Sequence, residues 1–108
     1  MKVEGNEQYD VIVIGAGAAG MMIAGIMAEH GLKVVLLEKN GEIGKKLSIT
    51  GGKRCNITNA EFDVAAFLEH FPQSKQFLYS PFSQFSVKDT FTFFEKIGVP
   101  IVIEENKR

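Results

Sequence analysis

Residues 9–38 read YDVIVIGAGAAGMMIAGIMAEHGLKVVLLE, and this stretch decides the fold. The run Val11, Ile12, Val13, Ile14 is too β-branched for a comfortable helix and predicts a strand from about Tyr9 to Ile14. The turn Gly15-Ala16-Gly17-Ala18-Ala19-Gly20 follows, then a helical stretch to His30 with Gly31 as its natural stop. A second apolar run, predicted as a strand over Lys33–Glu38, closes on an acid. Strand, helix and strand in that order require a parallel pair with a right-handed crossover, the first unit of an α/β, Rossmann-like fold. Within it Gly15 permits the tight turn, Gly17 lets the backbone approach a pyrophosphate, and Gly20 lets the helix pack close to the strand. Ala16, Ala18 and Ala19 complete the phosphate turn, and the helix start directs unpaired N–H groups at the anion. Glu38 stands where an acid accepts hydrogen bonds from ribose hydroxyls. The whole reads as a holder for the ADP half of a dinucleotide. A glycine-rich turn in another α/β unit is the plainer alternative.

The totals exclude several other classes. At 108 residues the chain is at most one small domain, and 45% hydrophobic with 23% charged residues is ordinary globular composition. A net charge of −1 gives no argument for nucleic acid or an anionic membrane surface. Cys55 is the only cysteine, so no intrachain disulfide can form, which suits a reducing, cytoplasmic compartment. Val11–Ala28 is uncharged and long enough for a membrane span, but it is rich in Gly and Ala and divides into a strand and a helix around a turn. Acidic Glu7 and Asp10 precede it, where a secretory signal carries positive charge.

Beyond Glu38 the character changes. Met1–Gln8 is expected to fray, and Lys39–Asn59 reads as a glycine-interrupted basic loop. Met21, Met22, Ile23, Ile26 and Met27 are expected to fill the layer between helix and sheet. Asp63 is placed to cap a short helix ending near Phe71, and Gln73–Phe85 reads as aromatic and irregular. Ser86 as N-cap, Asp89 in the first turn, a face of Phe91, Phe94 and Ile97, and Gly98 as stop predict a further helix. Val99–Ile103 reads as another strand, with a turn over Glu104–Arg108. All nine phenylalanines lie after residue 61, more than so short a chain readily buries. The expectation is a truncated piece of a larger protein, whose aromatic face leads the isolated chain to self-associate.

Residues 38–47, EKNGEIGKKL, and 49–59, ITGGKRCNITN, narrow the reading. With the glycine fingerprint and the later run 93–100, FFEKIGVP, they resemble the BaiN-type, aminoacetone-oxidase-like flavoproteins. The resemblance covers nearly the whole chain but about the first quarter of a typical member. It implies that residues 1–108 are the N-terminal part of an FAD-binding domain, with the inserted and C-terminal domains absent. It also implies FAD as cofactor, NAD(P)H as electron donor of the parent enzyme, and an unidentified small-molecule acceptor. Residue by residue, Gly15, Gly17 and Gly20 become the pyrophosphate turn and Glu38 the ribose acceptor, with Lys39 beside the adenosine. Gly44 and Lys45 occupy the place of a second glycine pair, and Arg54, Cys55 and Asn56 lie on the loop that approaches the flavin. Where members often have three glycines before the arginine, this chain has Gly51, Gly52 and Lys53.

Plainer roles stand beside these. Lys45 and Lys46 can be solvated lysines, Cys55 a structural thiol, and His30 and His70 surface or packing residues. Disulfide reductases place a cysteine pair in a similar loop, but Ala60 stands five residues beyond Cys55, which rules out a dithiol relay within this chain. No metal-ligand spacing is present. Two rivals remain: an NAD-binding dehydrogenase fragment, and a catalytically silent truncated product. The 108-residue chain alone is expected to bind FAD weakly or not at all and to show no turnover with NADH.

Overall fold

A computed structural model describes residues 7–52 and 54–107. The expected fraying of Met1–Gln8 falls mostly outside these residues, as does the added charge at Lys53. The chain divides into two compact units, residues 1–55 and 56–108.

The first unit is the βαβ element read from residues 9–38. Strand β1 spans Val11–Ile14, helix α1 Ala18–Glu29 and strand β2 Val34–Leu37. The strands pair in parallel, with Val11 opposite Val34 and Ile14 opposite Leu37. Both strands coincide with the apolar runs and are shorter than the predicted spans Tyr9–Ile14 and Lys33–Glu38, because other bonds close the ladder. At its start Asp10 N–H donates to the Lys33 carbonyl (2.8 Å) and Lys33 N–H donates to the Asp10 carboxylate (2.7 Å). At its end Gly15 N–H donates to the Leu37 carbonyl at 2.7 Å. Period-two alternation puts Val11 and Val13 on the half-buried face and leaves Ile12 and Ile14 63% and 85% exposed. Helix α1 packs on both strands. Met21, Met22, Ile26 and Met27 are half-buried as expected, whereas Ile23 is exposed, its position turned off the packed stripe. The loop after β2 contains a short helix, α2 (Lys45–Ile49), entered through Gly44 in the left-handed region (φ +62°).

The second unit is helical. Helix α3 spans Val64–Leu68, with the Asp63 carboxylate accepting from Ala66 N–H at 2.7 Å as its cap. Gln73–Phe85 departs from expectation: instead of irregular chain it forms helix α4, Lys75–Gln84, with Pro81 inside. Proline removes one backbone donor from that helix. Packing outweighs the loss: α4 lies on α3, and the Phe82 and Phe67 ring centroids are 4.8 Å apart. Leu68 of α3 is fully buried.

Helix α5, Val87–Lys96, begins as the sequence predicts. The Asp89 carboxylate accepts Ser86 N–H at 2.7 Å while the Ser86 hydroxyl accepts Asp89 N–H at 3.3 Å, a complete capping box. Val87 is buried, Phe91 and Phe94 are half-buried, and Ile97 at the helix end is exposed. Ser86→Ala should cost about 1 kcal/mol of helix stability. Urea unfolding followed by circular dichroism checks this, and an unchanged midpoint would contradict the capping role.

Val99–Ile103 is the second departure. It is not a strand: among the described residues no second strand in this unit offers it a ladder, and Val102 and Ile103 are exposed. A strand is a paired object, and β-branched composition alone cannot supply the partner. The segment ends in a 3-10 turn over Glu105–Lys107, where the Lys107 carbonyl accepts Ala60 N–H (2.7 Å) and its ammonium pairs with Glu61. Phe62, Phe71, Phe77 and Phe85 are exposed, which agrees with the excess of aromatic surface read from the sequence.

Candidate functional site

The site begins at the turn between β1 and α1. Gly15 holds φ +96°, a conformation L side chains rarely adopt. Gly17 is the N-cap of α1 and offers no side-chain hydrogen bond to the first turn, where a helix start presents N–H groups without intrahelical partners. The first turn also carries no acidic residue that would repel an anion. A Cβ on Gly17 would meet nothing within 4 Å, so open space lies over this backbone. Gly20 differs: a Cβ there would lie 1.8 Å from the Gly15 carbonyl oxygen. Gly20 is therefore glycine for packing, whereas the backbone at Gly17 is open.

Ala16 ties the turn to the loop after β2. Its N–H donates to Glu38 Oε2 at 2.8 Å and its carbonyl accepts Gly44 N–H at 2.8 Å; Ala16 is 1% exposed. Glu38, half-buried at the end of β2, takes two more bonds on Oε1, from Asn40 N–H (2.9 Å) and Asn40 Nδ2 (2.6 Å). The backbone N–H of Asn40, then that of Ala16, hold the Glu38 carboxyl below its ordinary range. It is ionised at neutral pH.

Ala16, Gly17, Glu38, Asn40, Glu42 and the α2 residues Lys45, Lys46 and Ile49 line a cleft of about 320 Å³. That volume lies within the range of small-molecule sites. The structure thus brings together four residues expected from the sequence: Ala16, Gly17, Glu38 and Lys45. Gly15, Ala18, Ala19 and Gly20 form the turn and first helical residues behind it, and Gly44 anchors the loop. Lys39 is exposed and not part of the wall. Arg54 and Cys55 are exposed at the end of the unit, and Asn56 opens the second unit. Lys46 joins the wall, where the sequence left it as a solvated lysine. Asn40, Glu42 and Ile49 were not singled out. An amide two residues beyond the acid was the available signal for Asn40, since such a side chain reaches neighbouring groups through a tight turn. Among the described residues no cluster of His, Cys, Asp or Glu could hold a metal ion, and no helix is long and apolar enough to cross a membrane. His30 donates through Nδ1 to the Ile26 carbonyl (2.8 Å) at the far end of α1, a capping contact remote from the phosphate turn.

Comparison with known proteins gives the family. Residues 9–108 match the family described as the HI0933-like protein Rossmann domain. The chain is 34% identical over 93 residues to the ribosomal RNA dihydrouridine synthase of Escherichia coli, which covers 86% of this chain and 22% of that protein. It is 34% identical over 89 residues to the 3-dehydro-bile acid delta(4,6)-reductase of Clostridium scindens, covering 81% and 21% respectively. A digeranylgeranylglycerophospholipid reductase from Methanosarcina mazei is 46% identical over 60 residues, 54% of this chain and 15% of that protein. The chain thus spans about a fifth of the length of the first two relatives.

Proposed function

The chain belongs to the family of HI0933-like protein Rossmann domains, and from that premise we propose that it is the FAD-binding segment of a flavin-dependent oxidoreductase. The observation that carries this reading is the Glu38 carboxylate, held 2.8 Å from Ala16 N–H at the wall of a cleft that also contains Gly17. In the proposed arrangement Gly15, Ala16, Gly17, Ala18, Ala19 and Gly20 cradle the pyrophosphate, and Glu38 accepts the adenosine ribose hydroxyls. Lys39, Gly44 and Lys45 border the adenosine side. Arg54, Cys55 and Asn56 serve the flavin side; the guanidinium suits phosphate or flavin carbonyl oxygens.

Bound FAD would supply two-electron hydride chemistry, and the protein supplies position and electrostatics. We take NAD(P)H as donor and a small molecule as acceptor, in a cytoplasmic parent enzyme of which residues 1–108 are the N-terminal part. Two of the relatives are named as reductases, which supports reductive chemistry. The motif over residues 49–59 favours a BaiN-type parent. This chain by itself is proposed to bind FAD weakly and to lack turnover.

An ionised carboxylate at Glu38 repels a 2′-phosphate. FAD and NAD, which lack that group, should therefore bind more tightly than NADP, on the order of tenfold or more, the scale of one unpaired buried polar group. Titration of the three dinucleotides checks this, and a preference for NADP would contradict it. The same geometry accepts the adenosine of NAD, so an NAD-binding fragment is the second reading. A parent protein that purifies with visible flavin absorbance supports FAD; a colourless parent that binds NAD supports the rival.

A further inference from the structure

Glu38 carries more donors than its orientation requires. Its two oxygens offer about four in-plane acceptor positions. Ala16 N–H takes one position on Oε2, while Asn40 takes two on Oε1, through its backbone N–H at 2.9 Å and its Nδ2 at 2.6 Å. Two backbone donors hold one oxygen each at hydrogen-bond distance, one from the phosphate turn and one from the loop after β2, and the Lys39 N–H adds a weaker hold on the carboxyl. With those alone the carboxylate is fixed. The side-chain amide of Asn40 is additional.

A ribose presents two neighbouring hydroxyls, and a carboxylate that accepts both needs one open position on each oxygen. Oε2 has one. Oε1 has none until Nδ2 withdraws. Asn40 is exposed, so its amide can rotate away and exchange the Glu38 contact for water. Its backbone does not occupy the left-handed region, so alanine can replace it without strain.

We propose that the Asn40 amide is a competitor: it occupies the Glu38 acceptor position that a ribose hydroxyl would take. Asn40 is thus a positioning residue that tunes affinity by competing with the nucleotide. This rests on the reading of Glu38 as ribose acceptor.

The test is a ¹H–¹⁵N titration of the 108-residue chain and of Asn40→Ala with ADP and with 2′,3′-dideoxyADP, carried to millimolar ligand and followed at the Ala16, Gly17 and Glu38 amides. Wild type should prefer ADP over the dideoxy analogue. Asn40→Ala should bind ADP about three- to tenfold more tightly, the range set by the net worth of one hydrogen bond, with affinity for dideoxyADP unchanged. Weaker ADP binding by a variant that keeps the wild-type β1–β2 amide pattern overturns the proposal and makes Asn40 a clamp. An equal change for both ligands also overturns it, because that is the mark of a general structural effect. Loss of the β1–β2 pattern in the variant overturns it too, since the amide would then be needed by the fold. Wild type that binds neither ligand, or both alike, removes the ribose reading of Glu38 itself, a failure separable from the others.

Discussion

Gly20→Ala should unfold the first unit, although the same change elsewhere in that helix should stabilise it. The added Cβ would stand 1.8 Å from the Gly15 carbonyl oxygen and 3.5 Å from Val13 Cγ1. The obstacle at 1.8 Å is main chain, so no rotamer change relieves it. Helix α1 must lift from the turn, or the turn must lose its Gly15–Leu37 bond. Overpacking of this kind costs on the order of 3 kcal/mol, and more when the backbone has to shift. Against it stands the helix-propensity gain of alanine over glycine, about 1 kcal/mol. The clash wins. Gly25 provides the control: it lies in the same helix, and a Cβ there meets nothing within 4 Å. Gly25→Ala should therefore raise stability by about 1 kcal/mol. Thermal unfolding of the two variants decides the matter. Equal stability for both would mean that the close approach at Gly20 does not hold the fold.

Gly17→Val should abolish adenine-dinucleotide binding and leave the fold in place. The Gly17 backbone (φ −83°, ψ −170°) is extended, a conformation valine adopts readily, and its Cβ direction is open. The folding penalty is that of a poor N-cap, about 1 kcal/mol. The binding penalty is far larger, because the isopropyl group fills the space over the first-turn N–H groups where a pyrophosphate would approach. A loss of about a hundredfold or more in ADP affinity is expected, since several charge-assisted hydrogen bonds of roughly 1.5–3 kcal/mol each go together. Amide titration of the variant measures it. A folded Gly17→Val chain that binds ADP as wild type does would remove the phosphate turn from this loop.

The contrast between these glycines shows what the sequence made legible. Spacing placed Gly15, Gly17, Gly20 and Glu38 correctly in the βαβ unit, because β-branched runs and a glycine turn are local signals. The distinct readings of Gly17 and Gly20 followed from their places in the fingerprint; the packed helix adds the distance, 1.8 Å from a Gly20 Cβ to the Gly15 carbonyl oxygen. Helix α2 was hidden inside a glycine-rich loop: five residues entered through a left-handed Gly44 leave little periodicity to read. Helix α4 was hidden by Pro81 and by a polar, serine-bearing composition, and it packs on α3 through the Phe82–Phe67 contact, which joins residues 15 apart. Val99–Ile103 erred in the other direction, since strand composition was present without a partner. Asn40 escaped notice because its donors matter only once the chain after β2 turns back on Glu38.

The central claim is that the ADP half of FAD lies between the phosphate turn and Glu38. A ¹H–¹⁵N amide map of the chain titrated with FAD tests it most directly. The perturbed amides should be those of residues 15–20, 38–40 and 44–46, with the same set moving when ADP replaces FAD. FAD-induced shifts confined to residues 56–107, with the turn and Glu38 unmoved at saturating ligand, would contradict it.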